Sequence, residues 1–265
     1  MSRAAEPGDS CAAESGSGDS AGVPWEGRAF RDNPHTGDDG TAPPSLLAAI
    51  ADFRSGRCGA EHVVDALRTV RLLIPLVAER GDEGLSPTGQ TVDKTQELSI
   101  VTVAAPDGRT VMPAFTSVTA MTVWDAAARP IPTPGVRVAQ AAVGEGTDLI
   151  VVDPGSETEF VVRRPAVWAL AHGEPWRPPH TSEAVRAAFL ESISSELAAV
   201  DVHLAAGDPD ARLAGPETVV RLRLLAGLER HELDAVLARL AQRWAADDRI
   251  ATLVDSLTVA LERAP

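Results

Sequence analysis

The sequence contains no tyrosine, a single lysine and two cysteines, and aromatic residues make up only 4% of its 265 positions. A folded core therefore has to rest on valine, leucine, isoleucine and alanine. Cys11 and Cys58 are too few and too different in context to form a disulfide framework, which fits a reducing compartment. No apolar run approaches the roughly 18–20 residues that span a bilayer, and the N-terminus lacks the apolar segment of a signal peptide. We therefore expect a cytoplasmic protein.

Positive charge is scarce as well. The formal net charge is −14 at pH 7, and no basic run offsets it. Nucleic-acid phosphates and anionic membranes both bind through positive surface charge. The composition therefore argues against both, and we expect no nucleic-acid partner and no membrane partner.

The sequence also lacks the common motifs of catalysis and cofactor binding. It has no glycine-rich phosphate loop, and the serines of Gly16–Ser20 lack the spacing of a nucleophile elbow. His231 and Glu232 begin like the H-E-x-x-H zinc helix, but Ala235 stands where the second histidine is required. The sequence thus predicts no catalytic residue, no metal and no cofactor, and we expect a protein that is not an enzyme.

The first 43 residues are predicted to be a disordered acidic tail. They are rich in glycine, serine and proline and carry eight acidic against three basic residues. Such a segment cannot bury enough apolar surface to offset the entropy of ordering. Trp25 and Phe30 interrupt it, either as a short docking motif or as residual apolar residues.

From residue 44 to residue 178, apolar patterns predict an α/β domain. Two helices lead into a strand at Leu72–Val77, where Pro75 requires an edge position or a bulge because proline has no N–H. A hairpin turns at Asp107 and Gly108, and Arg129–Pro134 is predicted to be a stiff turn. A helix through Val136, strands at 149–152 and 160–162, and a helix opened by Pro165 complete the domain.

The prolines of Glu174–His180 predict a boundary, since they resist both helix and sheet. Residues 180–265 then predict a smaller α/β domain. It starts with a helix that extends to Val200, continues with strands at 200–205 and 218–225, and ends with a long helix and a strand at 256–261. The predicted fold class is α/β (α+β), with a mixed sheet flanked by helices.

Polar residues near the predicted strand ends form the candidate ligand site: Thr116, Ser117, Arg129, Arg163 and Arg164. In one interpretation they line a cleft, where a helix N-terminus and the arginines bind a carboxylate or a phosphate. In the other, Thr116 or Ser117 caps a helix, Arg163 or Arg164 pairs with an acid such as Asp153, and tryptophans fill the gaps between elements. The sequence leaves both interpretations open.

Five blocks of the sequence resemble a known family: L-L-I-P-L-V-A, D-G-R-T-V-M-P-A-F-T-S, W-D-A-A-A-R-P-I-P, L-I-V-V-D-P and F-V-V-R-R-P-A-V-W-A-L. They are similar to the N-terminal domain of the SseB family, named for enhanced serine sensitivity, in its actinobacterial form. The resemblance covers about Ser45 to Pro179. The blocks G-L-E-R-H-E-L-D-A-V-L-A-R-L and V-D-S-L-T-V-A-L resemble the smaller domain that follows in many members. The resemblance implies a shared fold and carries over no catalytic residue.

Two functions fit these observations. The first is a non-enzymatic cytosolic interaction or regulatory protein, in which Trp168 and Trp176 contact a protein partner. The second is a module that binds a small anion, such as an amino acid, through Arg129 and Arg163. The first is the predicted function, and the second is the alternative, at which the family name hints. The sequence does not specify an oligomeric state.

Overall fold

The computed structural model describes residues 37–78, 83–85, 91–93, 98–105 and 108–263. Residues 1–36 of the predicted tail, which include Trp25, Phe30 and Gly16–Ser20, lie outside the described residues. Asp107 of the predicted turn lies outside them as well. The described residues from Asp38 onward belong to one compact unit. None of the described helices is long and apolar enough to cross a membrane.

Eight α-helices and twelve strands are found among the described residues. The helices are α1 (Pro44–Arg54), α2 (Ala60–Thr69), α3 (Val118–Trp124), α4 (Gly135–Gly144), α5 (Arg164–His172), α6 (Glu183–Ile193), α7 (Arg230–Ala246) and α8 (Asp248–Leu253). The strands are β1 (Arg71–Ala78), β2 (Glu83–Leu85), β3 (Thr91–Asp93), β4 (Leu98–Ile100), β5 (Val103–Ala104), β6 (Thr110–Ala114), β7 (Arg129–Pro134), β8 (Leu149–Val152), β9 (Phe160–Val162), β10 (Ala199–Ala206), β11 (Thr218–Leu224) and β12 (Leu257–Arg263). They confirm the predicted α/β class.

A four-stranded sheet in the order β5-β6-β8-β9 forms the centre of the first part. Strands β6 and β8 run parallel, and the outer pairs are antiparallel, as the predicted hairpin at Gly108 requires. Because side chains alternate between the two faces of a strand, Met112, Ile150 and Phe160 pack under α1, α2, α4 and α5. Val161 is buried on the opposite face, against Leu213 of the second part.

Strand β1 is the middle strand of a second sheet in the order β4-β1-β7, so the prediction of an edge position for Pro75 was wrong. Pro75 lies opposite Pro130 of β7. Leu73, two residues earlier, donates its N–H away from β7, to the carbonyl of Phe115 at 2.8 Å. Because residues two apart on a strand point the same way, the nitrogen of Pro75 also faces away from β7. It lies between Leu73, which pairs with Phe115, and Leu76, where the pairing with β4 begins. The missing donor therefore removes no hydrogen bond to β7.

The segment Arg129–Pro134 is the edge strand β7, so the prediction of a stiff turn was also wrong. Its prolines stand at every second position, opposite Arg71, Leu73 and Pro75. Ile131 and Thr133 keep the N–H groups that face β1, and the prolines leave the outer edge without donors. An edge without donors resists pairing with a further strand.

The second part contains a sheet in the order β10-β11-β12, with β11 parallel to β12. Helices α6, α7 and α8 cover one face of it, and their core contains Phe189, Leu240 and Trp244. Helix α6 ends at Ile193 rather than reaching Val200, and Leu197 beyond it is 94% exposed. The domain boundary at 174–180 stays a prediction.

The loop between β10 and β11 attaches the second part to the first. Val161 of β9 donates its N–H to the carbonyl of Ala211 at 2.8 Å, so the loop extends the edge of the first sheet. Arg54 of α1 donates to the main-chain carbonyls of Asp210 and Glu159. The edge of β9 is therefore covered by a segment of the same chain.

The first described residues also belong to the fold. Asp38 forms an ion pair with Arg71, and both side chains are nearly buried. Val118 donates its N–H to the carbonyl of Gly40 at 2.9 Å. The ordered chain thus begins before residue 43, where the sequence predicted the end of the tail, because the buried guanidinium of Arg71 requires a carboxylate partner.

Candidate functional site

Thr116 and Ser117 lie where β6 passes into α3. Ser117 caps this helix, and its Oγ accepts a hydrogen bond from the N–H of Ala120 at 3.1 Å. The N–H and the hydroxyl of Thr116 each donate to an oxygen of Asp153, both at 2.8 Å. The hydroxyl of Thr158 donates to the same carboxylate at 2.7 Å. These groups satisfy one another, so this cluster is structural.

The five predicted ligand residues do not converge on one cleft. Arg163 follows β9, which runs antiparallel to β8, so it lies at the opposite end of the sheet from Thr116. Arg129 is exposed at the start of edge strand β7. The alternative interpretation, in which Arg163 pairs with an acid, is confirmed, but the acids are Asp208 and Asp255 and not Asp153, which lies at the opposite end of the sheet. A sequence does not show which ends of antiparallel strands come together.

The guanidinium of Arg163 is buried at the junction of the two parts, with 6% of its surface exposed. Its Nη2 donates to Asp208 Oδ2 and to the carbonyl of Gly215, both at 2.7 Å. Its Nη1 donates to Asp255 Oδ2 at 3.1 Å and to the hydroxyl of Ser256 at 3.3 Å. The four Nη hydrogens thus have four acceptors within this chain, and none is left for an external anion.

The partners of Arg163 are held in turn by further donors. Asp208 accepts a hydrogen bond from the N–H of Leu213 at 2.8 Å, which shapes the β10–β11 loop. Asp255 accepts two hydrogen bonds from Arg109, both at 2.9 Å. Arg164 donates to the carbonyls of Ala251 and Val254, each at 3.0 Å. Two of the three predicted ligand arginines, Arg163 and Arg164, therefore join the two parts of the fold.

A cavity of about 360 Å³ lies beside Arg163. It is enclosed by the ends of α1 and α2, strand β9, the 3₁₀ turn Pro179–Thr181 and the β10–β11 loop. Its lining includes three aromatic rings, those of Phe53, Phe160 and Trp176. Two buried atoms of its lining side chains, the indole Nε1 of Trp176 and Oε1 of Glu217, have no hydrogen-bond partner among the described residues. We take this cavity as the candidate functional site.

Glu217 is the most perturbed acid of the cavity. Only 8% of its surface is exposed. Its Oε2 accepts a hydrogen bond from the N–H of Asp255 at 2.7 Å, while Oε1 is free. Burial raises the pKa of Glu217 from 4.5 to about 7, against the lowering effect of that N–H and of Arg163 and Arg164. The carboxyl group therefore changes its charge near neutral pH.

Two further titratable groups of the lining, His180 and Cys58, favour their neutral forms. Burial lowers the pKa of His180, although the negative charge of Glu61 opposes this. Burial also raises the pKa of the Cys58 thiol, which keeps it from ionising as a nucleophile requires. Within the described ranges, no group of three His, Cys, Asp or Glu side chains is placed to hold a metal ion.

Comparison with models of known protein families found a match for the first part of the fold. Residues 46–169, from α1 into α5, match the model of the SseB protein N-terminal domain. The chain carries an SseB N-terminal domain. The match confirms the resemblance of the sequence blocks between Leu72 and Leu170. The actinobacterial type and the resemblance of the C-terminal blocks stay predictions. No curated protein and no solved structure matched the chain.

The SseB domain supplies only one side of the cavity. Phe53, Glu61 and Arg163 belong to it, whereas the residues opposite them follow in the chain: Trp176, His180, Asp208 and Glu217. Sequence reasoning missed Glu217, Asp208 and Asp255. An acid beside a strand is usually solvated, and no local pattern marks one that becomes buried against an arginine far away in the chain.

Replacing Asp208 with asparagine tests the buried ion pair. The variant keeps the shape of the side chain but leaves the charge of Arg163 half compensated, so we expect the free energy of unfolding to fall by about 3 kcal/mol. The matched control is Asp210→Asn on the same loop, whose side chain is 73% exposed and 3.7 Å from Arg54. We expect a change below about 0.5 kcal/mol there. Urea denaturation at pH 7 measures both, and equal small losses would contradict the assignment.

Glu217 predicts a dependence of stability on pH. The folded protein binds the proton of Glu217 more tightly than the unfolded chain, so stability falls as the pH rises from about 4.5 to about 7 and then levels off. Glu217→Gln removes this contribution. Its stability relative to wild type should therefore increase by about 3 kcal/mol between pH 4 and pH 8. Denaturation across this range, with exposed Glu157→Gln as control, measures the difference, and parallel wild-type and E217Q curves would refute it.

Proposed function

We propose that the protein is a non-enzymatic cytoplasmic binding protein that holds a small molecule in the cavity beside Arg163. The observation that carries this proposal is that two side chains of the cavity lining, Trp176 and Glu217, each hold a buried polar atom, Nε1 and Oε1, with no hydrogen-bond partner among the described residues. Buried polar groups in folded proteins nearly always have a partner. A ligand that accepts a hydrogen bond from the indole and donates one to the carboxyl group satisfies both.

The size and composition of the cavity support the same proposal. Its volume of about 360 Å³ lies in the range of small-molecule sites, which begins at roughly 300 Å³. Three aromatic rings and a few polar groups are the usual lining of such sites. Catalysis is not part of the proposal; the raised pKa of the Cys58 thiol disfavours the thiolate that a nucleophile requires.

A thermal-shift screen tests ligand binding. At a ligand concentration of 100 times Kd, the folded state gains about 2.7 kcal/mol, which corresponds to a rise in Tm of roughly 5–10 °C for a chain of this size. The screen covers amino acids, amines, alcohols and phosphorylated metabolites at millimolar concentration.

Trp176→Phe keeps the ring and removes the indole N–H, so we expect it to lose most of the shift. Trp168→Phe, at an exposed tryptophan outside the cavity, is the matched control and should keep it. If no compound in the screen raises the Tm of the wild type, the proposal is wrong.

A second candidate function is protein interaction through Trp168, which the sequence predicted as a contact residue. Trp168 is 48% exposed on α5, and its ring stacks on His172 with the centroids 5.6 Å apart. An exposed, pre-oriented tryptophan is a common anchor of protein interfaces. Trp176, the other predicted anchor, is partly buried and packs against the core instead.

Trp168→Ala tests this candidate in an affinity capture from the native cytoplasm. We expect a specific partner that is retained by the wild type and lost by Trp168→Ala, because the anchor contributes about 2 kcal/mol or more. Val123→Ala, at a valine that is 85% exposed on α3, is the control and should retain the partner. Equal capture by all three proteins would count against the candidate.

A further inference from the structure

The charges around the cavity do not favour the anion that the sequence suggested. Among the described residues that line it, Arg163 is the one side chain with a permanent positive charge, whereas Glu61, Asp208 and Glu217 are acidic. His180 does not alter this balance, since its burial disfavours the charged form. The lining therefore carries an excess of negative charge once Glu217 is ionised.

The positive charge of Arg163 is already neutralised by its own partners. Asp208 and Asp255 each accept a hydrogen bond from its guanidinium, at 2.7 and 3.1 Å, and each carboxylate is only 2% exposed. An external carboxylate or phosphate would have to displace a buried aspartate, which leaves that charge without a partner and costs several kcal/mol. Arg163 therefore organises the wall of the cavity and does not bind the ligand.

The aromatic rings of the lining favour a positive charge. The faces of aromatic rings are electronegative and attract cations, most strongly when the pair is removed from water. The guanidinium of Arg54 already lies over the ring of Phe53, 5.6 Å from its centroid, so Phe160 and Trp176 are the rings left for a ligand cation. Phe53 meets Phe160 edge to face, with the centroids 5.4 Å apart, and supplies apolar surface. Combined with carboxylates, such rings are a common way to bind organic cations.

We propose that the cavity binds a small organic cation, a primary amine on an apolar body, with its ammonium group at Glu217 Oε1 and its apolar part among Phe53, Phe160 and Trp176. This inference rests on the proposed function, since it names the ligand class of the same cavity. The ammonium group donates to the carboxylate oxygen that has no partner among the described residues. The ammonium group then offsets the cost of burying the negative charge of Glu217, which has no such partner without the ligand.

The binding is coupled to the proton of Glu217. The carboxyl group faces Asp255, which opposes its ionisation, and Arg163 and Arg164, which favour it, while burial raises its pKa to about 7. Glu61, Asp208 and His180 belong to the same lining. An ammonium ion binds the ionised carboxylate, which is about ten times more populated at pH 8 than at pH 6. The affinity for an amine should therefore rise about tenfold over this range, with release of a proton.

Isothermal titration calorimetry of the full chain with three matched compounds tests the inference. The probes are phenethylamine, 2-phenylethanol and phenylacetate, which share one apolar body and differ in charge. We expect the amine to bind at least tenfold more tightly than the alcohol and the acid at pH 8, and about tenfold more weakly at pH 6 than at pH 8.

Two variants and one control test whether the amine binds in this cavity. Glu217→Gln should lose at least tenfold in amine affinity at pH 8 and lose the pH dependence. Exposed Glu157→Gln should keep both. Trp176→Ala, which keeps the carboxylates and removes one of the three rings, should weaken the binding of amine and alcohol alike, and it serves as a second variant if Glu217→Gln does not fold.

The outcomes separate the two levels of the proposal. If phenylacetate or phenylethanol binds as tightly as the amine, or if the affinity for the amine does not change with pH, the cation assignment is wrong and the cavity remains a binding site for another class. If none of the three binds but the thermal-shift screen finds another ligand that requires Trp176, the cation assignment again fails alone. If neither experiment finds a ligand, the proposed function fails with it.

Discussion

The buried guanidinium of Arg163 is the contact on which the rest of the structure depends. Burying an arginine costs several kcal/mol unless its charge and its N–H groups are compensated. The compensation comes from Asp208 at the start of the β10–β11 loop and from Asp255 before β12, both in the second part of the chain. The end of β9 is therefore stable only when the second part is docked.

The geometry of the β10–β11 loop follows from the same requirement. A Cβ atom on Gly207 would lie 2.3 Å from the carbonyl of Pro216, so the two ends of the loop approach closely only with glycine there. Asp208 then accepts the N–H of Leu213 and reaches Arg163 as well. The loop covers the open edge of β9 through Ala211 and thereby closes one wall of the cavity. Docking and cavity formation are thus one event.

Local patterns predicted most elements correctly and failed where a partner strand decides the structure. Leu149–Val152 and Phe160–Val162 are strands as expected, and Ser117, one of the two predicted candidates, caps a helix. Arg129–Pro134 was mistaken for a turn because three prolines suggest one. These prolines fit an edge strand only because their nitrogens all face away from β1. That orientation is set by the register between β1 and β7, which the sequence of β7 alone does not show.

The sequence by itself determined the α/β class, the helix caps and the SseB resemblance, because each depends on residues close together in the chain. Only the tertiary structure decided which charged side chains form ion pairs within the protein and which do not. It buried Arg163 against two aspartates from a distant part of the chain. It also left Glu217 with a carboxylate oxygen that has no partner among the described residues. The physical reason is that the stability of a charged side chain depends on its burial and on the charges and hydrogen-bonding groups around it. Both are set only when distant segments of the chain pack together.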